Sequence, residues 1–271
     1  MDSSSTPESV HAAARGTQAI GRAAALLREV AGDNRGGRSL ADLAAHLQLE
    51  RPTAYRILRR LVEERLLRQD PVTRAYHLGE LIYELGLLAD AGSSLRALCR
   101  PSLERLAAAS GDTIFLIAPR GPDCVCLDRA EGSFPIKALL LDAGQRRPTG
   151  IGAGSLALLA LLPPDEASRL LAENTRRLAD AGADPVAVLE DAVALARAEG
   201  HAFKRPADMP EIMSMAMAVP DRAGAPAVAL SISGLGNRIA SRQSALLALL
   251  REETSVLARR LLRESPTAGR G

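Results

Sequence analysis

Two short helical patterns that follow each other closely between residues 39 and 62 constrain the fold of this chain more than any other feature. The first begins with the capping box Ser39-Leu40-Ala41-Asp42, in which a hydroxyl residue precedes an acidic residue by three positions. The second begins at Pro52, because a proline in the first helical turn lacks only an N–H group that would stay unpaired there. Two short helices joined by so few residues meet at a tight turn, which predicts a helix-turn-helix.

The flanking segments extend this pattern into a winged helix-turn-helix over residues 15–78. Apolar residues at helical spacing predict a preceding helix over about residues 17–31. After the second helix of the pair, the strand-like runs 66–68 and 75–78 enclose a proline-containing turn. Two short strands around such a turn predict a hairpin, which would form the wing.

Basic residues are concentrated in the same segment. Residues 15–78 contain twelve arginines and seven acidic residues, whereas the whole chain has a formal net charge of only +2. A basic end on an otherwise slightly acidic protein favours a polyanionic partner for that end alone, such as double-stranded DNA. A solvated helix face would carry the same charge, so the charge becomes specific only together with the order of the helices.

The second helix of the pair carries most of the candidate DNA contacts. The N-terminal residues of a recognition helix reach base edges in the major groove, while arginines neutralise phosphates. We expect base-edge contacts from Arg51, Thr53 and Tyr55. We expect phosphate contacts from Arg56, Arg59, Arg60 and, in the wing, Arg74.

The stretches SLADLA (39–44), RPTAYRILRRLV (51–62) and RQDPVTRAYHLG (68–79) resemble the DNA-binding domain of IclR-type transcriptional regulators. Thr53, Tyr55 and Arg56 stand where that family has its recognition-helix signature. Arg65 is a departure, because the family usually has a glycine before the first wing strand. The resemblance implies a regulator that binds a pseudo-palindromic DNA operator.

Residues 79–94 are expected to form a helical linker between two domains. Its apolar residues fall on one helical face, namely Leu81, Ile82, Leu85 and Leu88. An apolar face on a linker helix needs a partner, which is either the same helix of a second copy or the C-terminal domain of the same chain. The family resemblance favours a homodimer or a dimer of dimers.

The remaining residues, 95–265, predict an α+β domain with an antiparallel sheet. The expected strands are 113–118, 124–128, 136–140, 214–219 and 227–233. This region resembles the effector-binding domain of the IclR family, which is GAF-like, and the resemblance implies a small-molecule effector. Residues 1–14 and 266–271 are expected to be disordered tails.

The glycine-rich stretch PTGIGAG (148–154) leads into a predicted helix, whose free N–H groups and positive dipole end suit a carboxylate. A tight turn with close helix packing is the alternative explanation for these glycines. Several positions depart from the family pattern, since Gly150 replaces a histidine, Ser155-Leu156 replaces Gly-Lys, and Ala218 replaces a proline. The resemblance carries over, as effector contacts, the backbone of Gly152, Ala153 and Gly154, the hydroxyls of Ser231 and Ser233, and Ser214 as a wall residue. Lys204 stands about where some members of the family carry an acidic residue, and a lysine there would favour an anionic effector.

Other function classes have weaker support. The chain lacks a GxSxG elbow, a P-loop and a complete dinucleotide-binding motif, so an enzyme is not expected.

Cys124 and Cys126, two apart on a predicted strand, are interpreted as buried apolar residues, with a redox-sensing regulator as the alternative. A DNA-binding protein without a ligand is a further alternative. We expect no metal and no cofactor, since the two thiols have no second pair of ligands.

The location of the protein is predicted from what the sequence lacks. No apolar run approaches the length of a membrane span, and the N-terminus has no hydrophobic signal-peptide core. The three cysteines are too few for a disulfide scaffold. We therefore expect a cytoplasmic protein whose partners are DNA, a small-molecule effector and a second copy of itself, with no membrane.

Overall fold

The computed structural model describes residues 7–32, 36–89, 95–206 and 209–264. The chain forms two compact units that divide between Gly92 and Ser93. In the described part of the chain, no helix has the length and apolar character needed to cross a membrane.

The first unit is a winged helix-turn-helix followed by a fourth helix, as the sequence predicts. Its elements are α1 (Pro7–Gly32), α2 (Leu40–His46), α3 (Arg51–Glu63), β1 (Leu67–Gln69), β2 (Tyr76–Leu78) and α4 (Glu80–Ala89). Ser39 caps α2, because its Oγ accepts a hydrogen bond from the N–H of Asp42 at 3.2 Å. The two strands pair antiparallel, with Leu67 opposite Leu78.

A small aliphatic core holds the first unit together. Leu26 and Val30 of α1 and Leu43 of α2 are fully buried, together with Leu58 of α3. Burying a leucine or valine side chain contributes about 1.5–3 kcal/mol. Leu58 and Leu61 lie three positions apart on α3, so one face of this helix is buried and the opposite face is left to solvent.

Helix α1 is longer than the sequence predicts. It begins at Pro7, so the expectation of a disordered tail over residues 1–14 is wrong from residue 7 onward. A proline suits the first turn of a helix, and the alanines that follow (Ala12, Ala13 and Ala14) are strong helix formers. Residues 1–6 and 266–271 lie outside the described residues.

The second unit is an α+β domain built on a six-stranded antiparallel sheet, which confirms the predicted fold class. Its helices are α5 (Leu95–Ser110), α6 (Ala153–Leu161), α7 (Pro164–Glu173), α8 (Thr175–Asp180), α9 (Val186–Glu199), α10 (Gly236–Ser241) and α11 (Gln243–Glu264). Its strands are β3 (Thr113–Arg120), β4 (Asp123–Glu131), β5 (Arg146–Pro148), β6 (Ala202–Lys204), β7 (Ile212–Pro220) and β8 (Pro226–Leu235). The strand order is β5-β4-β3-β8-β7-β6.

Helices cover both faces of this sheet and form two separate cores. On one face, Ile114 and Leu116 of β3 pack with residues of α5 and α11. On the other face, Phe115 and Ile117 pack with residues of α6 and α9. Successive side chains of a strand point to opposite faces, so a strand covered on both sides is apolar along its length.

The strand predicted at residues 136–140 is absent. This segment is irregular, and the side chains of Ile136 and Leu139 are 53% and 55% exposed. The edge position beside β4 is taken by β5 instead. Arginine side chains bond to the backbone at the end of this segment, because Arg147 donates to the Leu140 carbonyl at 2.7 Å and Arg129 donates to the next carbonyl, that of Leu141, at 3.0 Å.

Candidate functional sites

The candidate recognition helix α3 has a polar face opposite its buried face. Ala54, Leu58 and Leu61 are buried in the core of the first unit. The side chains on the other face are exposed, namely Arg51, Tyr55, Arg56, Arg59 and Arg60, whereas Thr53 is half-buried. The predicted contacts of this helix are therefore accessible to a large ligand, with Thr53 at the border of the face.

The arginines of α3 fall into two groups. Arg59 pairs with Glu63 at 3.0 Å, and Arg60 pairs with Glu63 at 3.3 Å and also with Glu64. In contrast, the side chains of Arg51 and Arg56 have no hydrogen bond or ion pair with any residue that the structure describes. The N-terminal half of α3 therefore presents two unpaired guanidinium groups to solvent.

One carboxylate holds the turn of the wing. Asp70 Oδ1 accepts hydrogen bonds from the N–H groups of Val72 at 2.9 Å and Thr73 at 2.7 Å, and from the Thr73 hydroxyl at 3.0 Å. These bonds, chiefly the one from the Thr73 N–H, lower the pKa of Asp70. Arg74 follows with a φ of +60°, and its carbonyl accepts a bond from Gln69 Nε2 at 2.9 Å. Arg74 is thus presented from a fixed turn.

Tyr76 connects the wing with α3. Burial raises the pKa of the Tyr76 hydroxyl, and the charge of Arg74 acts in the opposite direction. Tyr55 of α3 also acts on this pKa. Tyr76 of β2 and Leu67 of β1 pack in one core with Leu58 and Leu61 of α3, so the wing and α3 lie side by side on this unit.

Arg65 has the left-handed conformation that a glycine would adopt before the first wing strand, with a φ of +59°. This conformation costs a residue with a Cβ about 1–2 kcal/mol. The Arg65 side chain pairs with Glu80 at 3.3 Å and with Glu84 at 2.9 Å, both on α4. A Cβ on Gly79 would lie only 2.0 Å from the Arg65 carbonyl oxygen, so the chain needs a glycine there. The departure from the family pattern leaves the turn intact.

Helix α4 has none of its residues buried. Its exposed large apolar side chains are Tyr83, Leu85, Leu87 and Leu88, and Leu88 is 74% exposed. Apolar exposure of this extent on one short helix is typical of an interaction surface. The remaining linker residues, 90–94, lie outside the described residues.

The glycine-rich segment after β5 borders a cavity with two parts. The outer chamber, of about 370 Å³, is lined by Arg146, the loop 181–184 and Lys204, among others. The inner chamber, of about 50 Å³, is lined by the start of α6 and by serines of β7 and β8. The chambers adjoin, because they share the wall residues Leu140, Arg147, Ile151, Gly152 and Ser214. Their combined size suits a small molecule.

The inner chamber lies at the N-terminus of α6. Gly152 is the N-cap, with a φ of +83°, and a Cβ on this residue would meet no atom within 4 Å. The N–H of Leu156 bonds to the Gly152 carbonyl at 3.2 Å, so the N–H groups of Ala153 and Gly154 precede the first intrahelical bond. A Cβ on Gly154 would lie 2.8 Å from Ile117, so close packing requires glycine there. The structure thus brings the three predicted backbone positions to one chamber.

The predicted serines lie in the same chamber. Ser214 and Ser233 share a hydrogen bond of 2.7 Å between their hydroxyl oxygens. Ser231 is only 4% exposed, and its hydroxyl has no hydrogen bond to any described residue. The Ser231 hydroxyl is therefore available to a ligand in the inner chamber.

Lys204 already has an anionic partner within the protein, whereas the sequence predicts a lysine that is free to bind an anionic effector. Its Nζ binds the carboxylate of Asp184, which lies in the loop between α8 and α9. Both residues line the outer chamber together with Arg146 and Arg147. Arg147 donates to the carbonyl of Leu140 at 2.7 Å. The outer chamber thus has a basic wall in which one cation already holds an acidic partner.

The place of the missing family histidine is filled by apolar side chains. A Cβ on Gly150, whose φ is +116°, would lie 2.9 Å from Leu171, 3.1 Å from Leu178 and 3.3 Å from Leu189. Ser155 braces the same loop, because its Oγ accepts a hydrogen bond from the Gly150 N–H at 2.7 Å. The departures at Gly150 and Ser155 are therefore structurally linked, and they leave a closely packed loop.

Cys124 and Cys126 lie in the wall of the inner chamber, and both are buried free thiols. Burial raises the pKa of Cys126 to about 12 and also raises that of Cys124. Cys124 Sγ also hydrogen-bonds Ser155 Oγ at 3.5 Å. The thiolate is the reactive form of cysteine, so these high pKa values weigh against a redox-sensing pair.

Known protein families account for both units. The family model described as bacterial transcriptional regulator IclR C-terminal matches residues 91–259, and the IclR helix-turn-helix domain model matches residues 19–71. The chain belongs to the IclR family of transcriptional regulators. It is 30% identical to the HTH-type transcriptional regulator BhcR of Paracoccus denitrificans, over 81% of this chain and 78% of that protein. It is 28% identical to the glycerol operon regulatory protein of Streptomyces coelicolor, over 83% of this chain and 88% of that protein.

Solved structures of IclR regulators share the fold of this chain. The regulator from Alicyclobacillus acidocaldarius matches with a TM-score of 0.71 at 21% identity, over 89% of this chain and 98% of that one. The IclR of Thermotoga maritima matches with a TM-score of 0.62 at 21% identity, over 90% of this chain and 99% of that one. As an IclR regulator, the chain has a helix-turn-helix DNA-binding domain and a C-terminal effector-binding domain. The individual contact residues stay predictions.

The sequence reasoning missed the outer chamber of this IclR regulator. Arg147 carries no motif, and the sequence predicts Asp184 only as a helix cap, whereas the loop 181–184 between α8 and α9 lines the chamber. One signal was available, because two arginines directly precede Pro148 and the glycine-rich stretch. Cations beside a candidate anion loop favour an anionic ligand.

Proposed function

We propose that this IclR regulator binds a pseudo-palindromic operator as a homodimer, and that a small carboxylate in the cavity of the second unit modulates this binding. The observation that carries the proposal is the exposed face of α3. It presents the unpaired side chains of Arg51 and Arg56 together with Tyr55, and the wing adds Arg74 beside it. No catalytic reaction is assigned to the chain.

In the proposed complex, α3 lies in the major groove. Arg51, Thr53 and Tyr55 contact base edges, and Arg56 and Arg74 contact phosphates. Arg59 and Arg60 join the phosphate contacts after leaving their ion pairs on α3. Such exposed pairs contribute only about 0–1 kcal/mol, so exchange for a phosphate is inexpensive.

The exposed apolar face of α4 supports the homodimer. None of the described residues of α4 is buried, and Leu85 and Leu88 are 49% and 74% exposed. A two-fold dimer buries the same face of both copies. It would place two α3 helices in successive major grooves about 34 Å apart, which matches a pseudo-palindromic operator. A dimer of dimers would repeat this arrangement.

The inner chamber supports a carboxylate as the effector group. The N–H groups of Ala153 and Gly154 stand at the positive end of α6, and the Ser231 hydroxyl offers a further donor. Gly152 keeps the entrance open, while Ser214 and Ser233 complete the wall. Binding there would shift the chain between states of different operator affinity. A coupling free energy of about 1–3 kcal/mol corresponds to a 5–150-fold effect.

The substitution Arg56→Ala tests the operator surface. Each dimer would lose two phosphate contacts, so the slope of log affinity against log salt should become less steep by about 1.8. The measurement is fluorescence anisotropy with the intergenic DNA upstream of the gene and with a scrambled duplex. Arg222→Ala, in an exposed turn of the second unit, is the matched control. Unchanged operator binding by Arg56→Ala would contradict the assignment of α3.

The substitution Ser231→Ala tests the inner chamber. Calorimetric titration with a panel of two- to six-carbon monocarboxylates identifies the probe that binds. A hydrogen bond to a charged group contributes about 1.5–3 kcal/mol, so the affinity should fall about 10- to 100-fold. Ser255→Ala, on the exposed side of α11, is the control. An affinity equal to that of the control would show that the carboxylate binds elsewhere.

A further inference from the structure

The two chambers differ in size and in chemistry. The inner chamber, of about 50 Å³, has room for a group of about three or four heavy atoms, since one water needs roughly 10–15 Å³. A single carboxylate therefore fills it. The rest of any ligand must extend into the outer chamber, where three cations and one carboxylate line the wall, namely Arg146, Arg147, Lys204 and Asp184.

Lys204 stands where the two chambers meet. It lies on β6 directly opposite Ser214 in the β6–β7 register, and Ser214 lines both chambers. Ser214 in turn bonds Ser233 inside the inner chamber. A ligand that enters with its carboxylate at the start of α6 therefore passes Lys204.

The ion pair between Lys204 and Asp184 is unequal in exposure. The side chain of Lys204 is 17% exposed, whereas that of Asp184 is 38% exposed. A largely buried ammonium group needs an anionic partner, because removing one member of a buried pair is strongly destabilising. If the ion pair breaks, water can therefore solvate the Asp184 carboxylate more easily than the Lys204 ammonium group. An anionic group of a ligand can therefore take the place of Asp184 while Lys204 stays paired.

From these observations we infer that the effector is a small dianion. Its first carboxylate occupies the inner chamber, and its second anionic group, a carboxylate or a phosphate, binds Lys204 in exchange for Asp184. This inference rests on the proposed function, because it assumes that the inner chamber binds a carboxylate. It adds to the proposed function a second anionic group on the effector, and it names Lys204 as the residue that selects this group.

The test compares monoanions and dianions with the same carbon skeleton. The effect of a second carboxylate is measured with two pairs, butyrate with succinate and hexanoate with adipate. The effect of a phosphate is measured with glycolate and 2-phosphoglycolate. Binding of each probe to the full chain is measured by calorimetry. We expect the dianion of at least one pair to bind tenfold or more tightly than its monoanion, and the pair that responds shows which anionic group is selected.

Two variants of the ion pair show whether Lys204 causes this preference. Lys204→Met should lower the affinity for the dianion about 10- to 100-fold and leave the monoanion nearly unchanged. Asp184→Asn should raise the affinity for the dianion, because the competing carboxylate is gone. A purely structural role would lower both affinities equally and would not produce the increase in Asp184→Asn. Lys137→Met is the matched control, since Lys137 is the other lysine of the chain and does not line either chamber.

The outcomes separate this inference from the proposed function. If monoanions and dianions bind equally and Ser231→Ala weakens both, the second charge is wrong and the carboxylate site in the inner chamber stands. If the dianion preference persists in Lys204→Met, the assignment of Lys204 is overturned. If neither class of probe binds the wild-type chain, the inference and the carboxylate part of the proposed function both fail.

Discussion

The two units of this regulator present their candidate functional groups in opposite surroundings. In the first unit, the guanidinium groups of Arg51, Arg56 and Arg74 are exposed on one helix and the hairpin beside it. In the second unit, the polar groups around Ser231 are buried and come from separate elements, namely α6, β7 and β8.

This difference has consequences for how each site responds to change. Exposed charges interact through water, so salt screens them and neighbouring residues can vary with little effect. Buried groups depend on the packing that positions them, so a substitution there changes folding and binding together.

Raising the salt concentration from 50 to 200 mM should separate the two sites most strongly. A dimer presents four arginines of each copy to phosphates, namely Arg56, Arg59, Arg60 and Arg74, and eight phosphate contacts correspond to a loss of about 10⁴-fold in operator affinity. Affinity for a bound carboxylate or dianion should fall by less than about tenfold, because the cavity shields its charges. Anisotropy and calorimetry measure the two losses. Losses of similar size would remove the contrast between the units.

Restoring the family residue with Gly150→His should destabilise the second unit by about 2–4 kcal/mol. The new side chain would overlap Leu171, Leu178 and Leu189, and the φ of +116° adds backbone strain. Denaturant unfolding followed by circular dichroism measures the change. Gly121→His is the control, because Gly121 also has a positive φ but a Cβ there meets nothing within 4 Å. Equal destabilisation by the two variants would show that the packed loop is unimportant.

The substitution Leu88→Glu should weaken the proposed homodimer about tenfold or more. Two copies of a leucine lose their buried area, and burying one such side chain contributes about 1.5–3 kcal/mol. Sedimentation velocity over a range of concentrations measures the dissociation constant. Leu262→Glu, on an exposed side of α11, is the matched control. A dimer that is unaffected by Leu88→Glu but disrupted by Leu262→Glu would move the interface to the second unit.

The smallest effect is expected from Asp70→Ala, which should lower operator affinity a few-fold because the turn that holds Arg74 loosens. The folded chain lowers the pKa of Asp70, so this carboxylate stabilises the wing above about pH 4, and the contribution is lost as the pH falls through the lowered pKa. Asp221→Ala is the control, because Asp221 caps an equivalent turn in the second unit. Equal losses of operator affinity in both variants would contradict a role for the wing.

Local sequence signals were sufficient for most of the first unit. The cap at Ser39 and the start of α3 near Pro52 depend on residues within one or two turns, and helical periodicity alone places Arg51 and Arg56 on the exposed face. The start of α1 was missed, because polar residues before Pro7 resemble a tail. Local rules succeed here because the surface consists of a single helix and its adjoining hairpin.

The cavity of the second unit was predicted only in part. The resemblance brought the serines and glycines together, but the partner of Lys204 was not foreseen. The pattern Asp184-Pro185 predicts a helix cap at Asp184, whereas Pro185 precedes α9 and Asp184 binds a lysine twenty positions away. The leucines around Gly150 come from three helices. Contacts of this kind depend on the packing of distant segments, which no local pattern encodes.

The scarcity of lysine gives the cavity an accessible chemical label. Lys137 and Lys204 are the only lysines of the chain, because nearly all of its basic residues are arginine. An amine-directed acylating reagent therefore has two side-chain targets, and one of them lines the outer chamber. Mass spectrometry can resolve these two sites in a single digest. The extent of acylation at Lys204 relative to Lys137 then reports occupancy of the cavity, without DNA and before any effector has been identified.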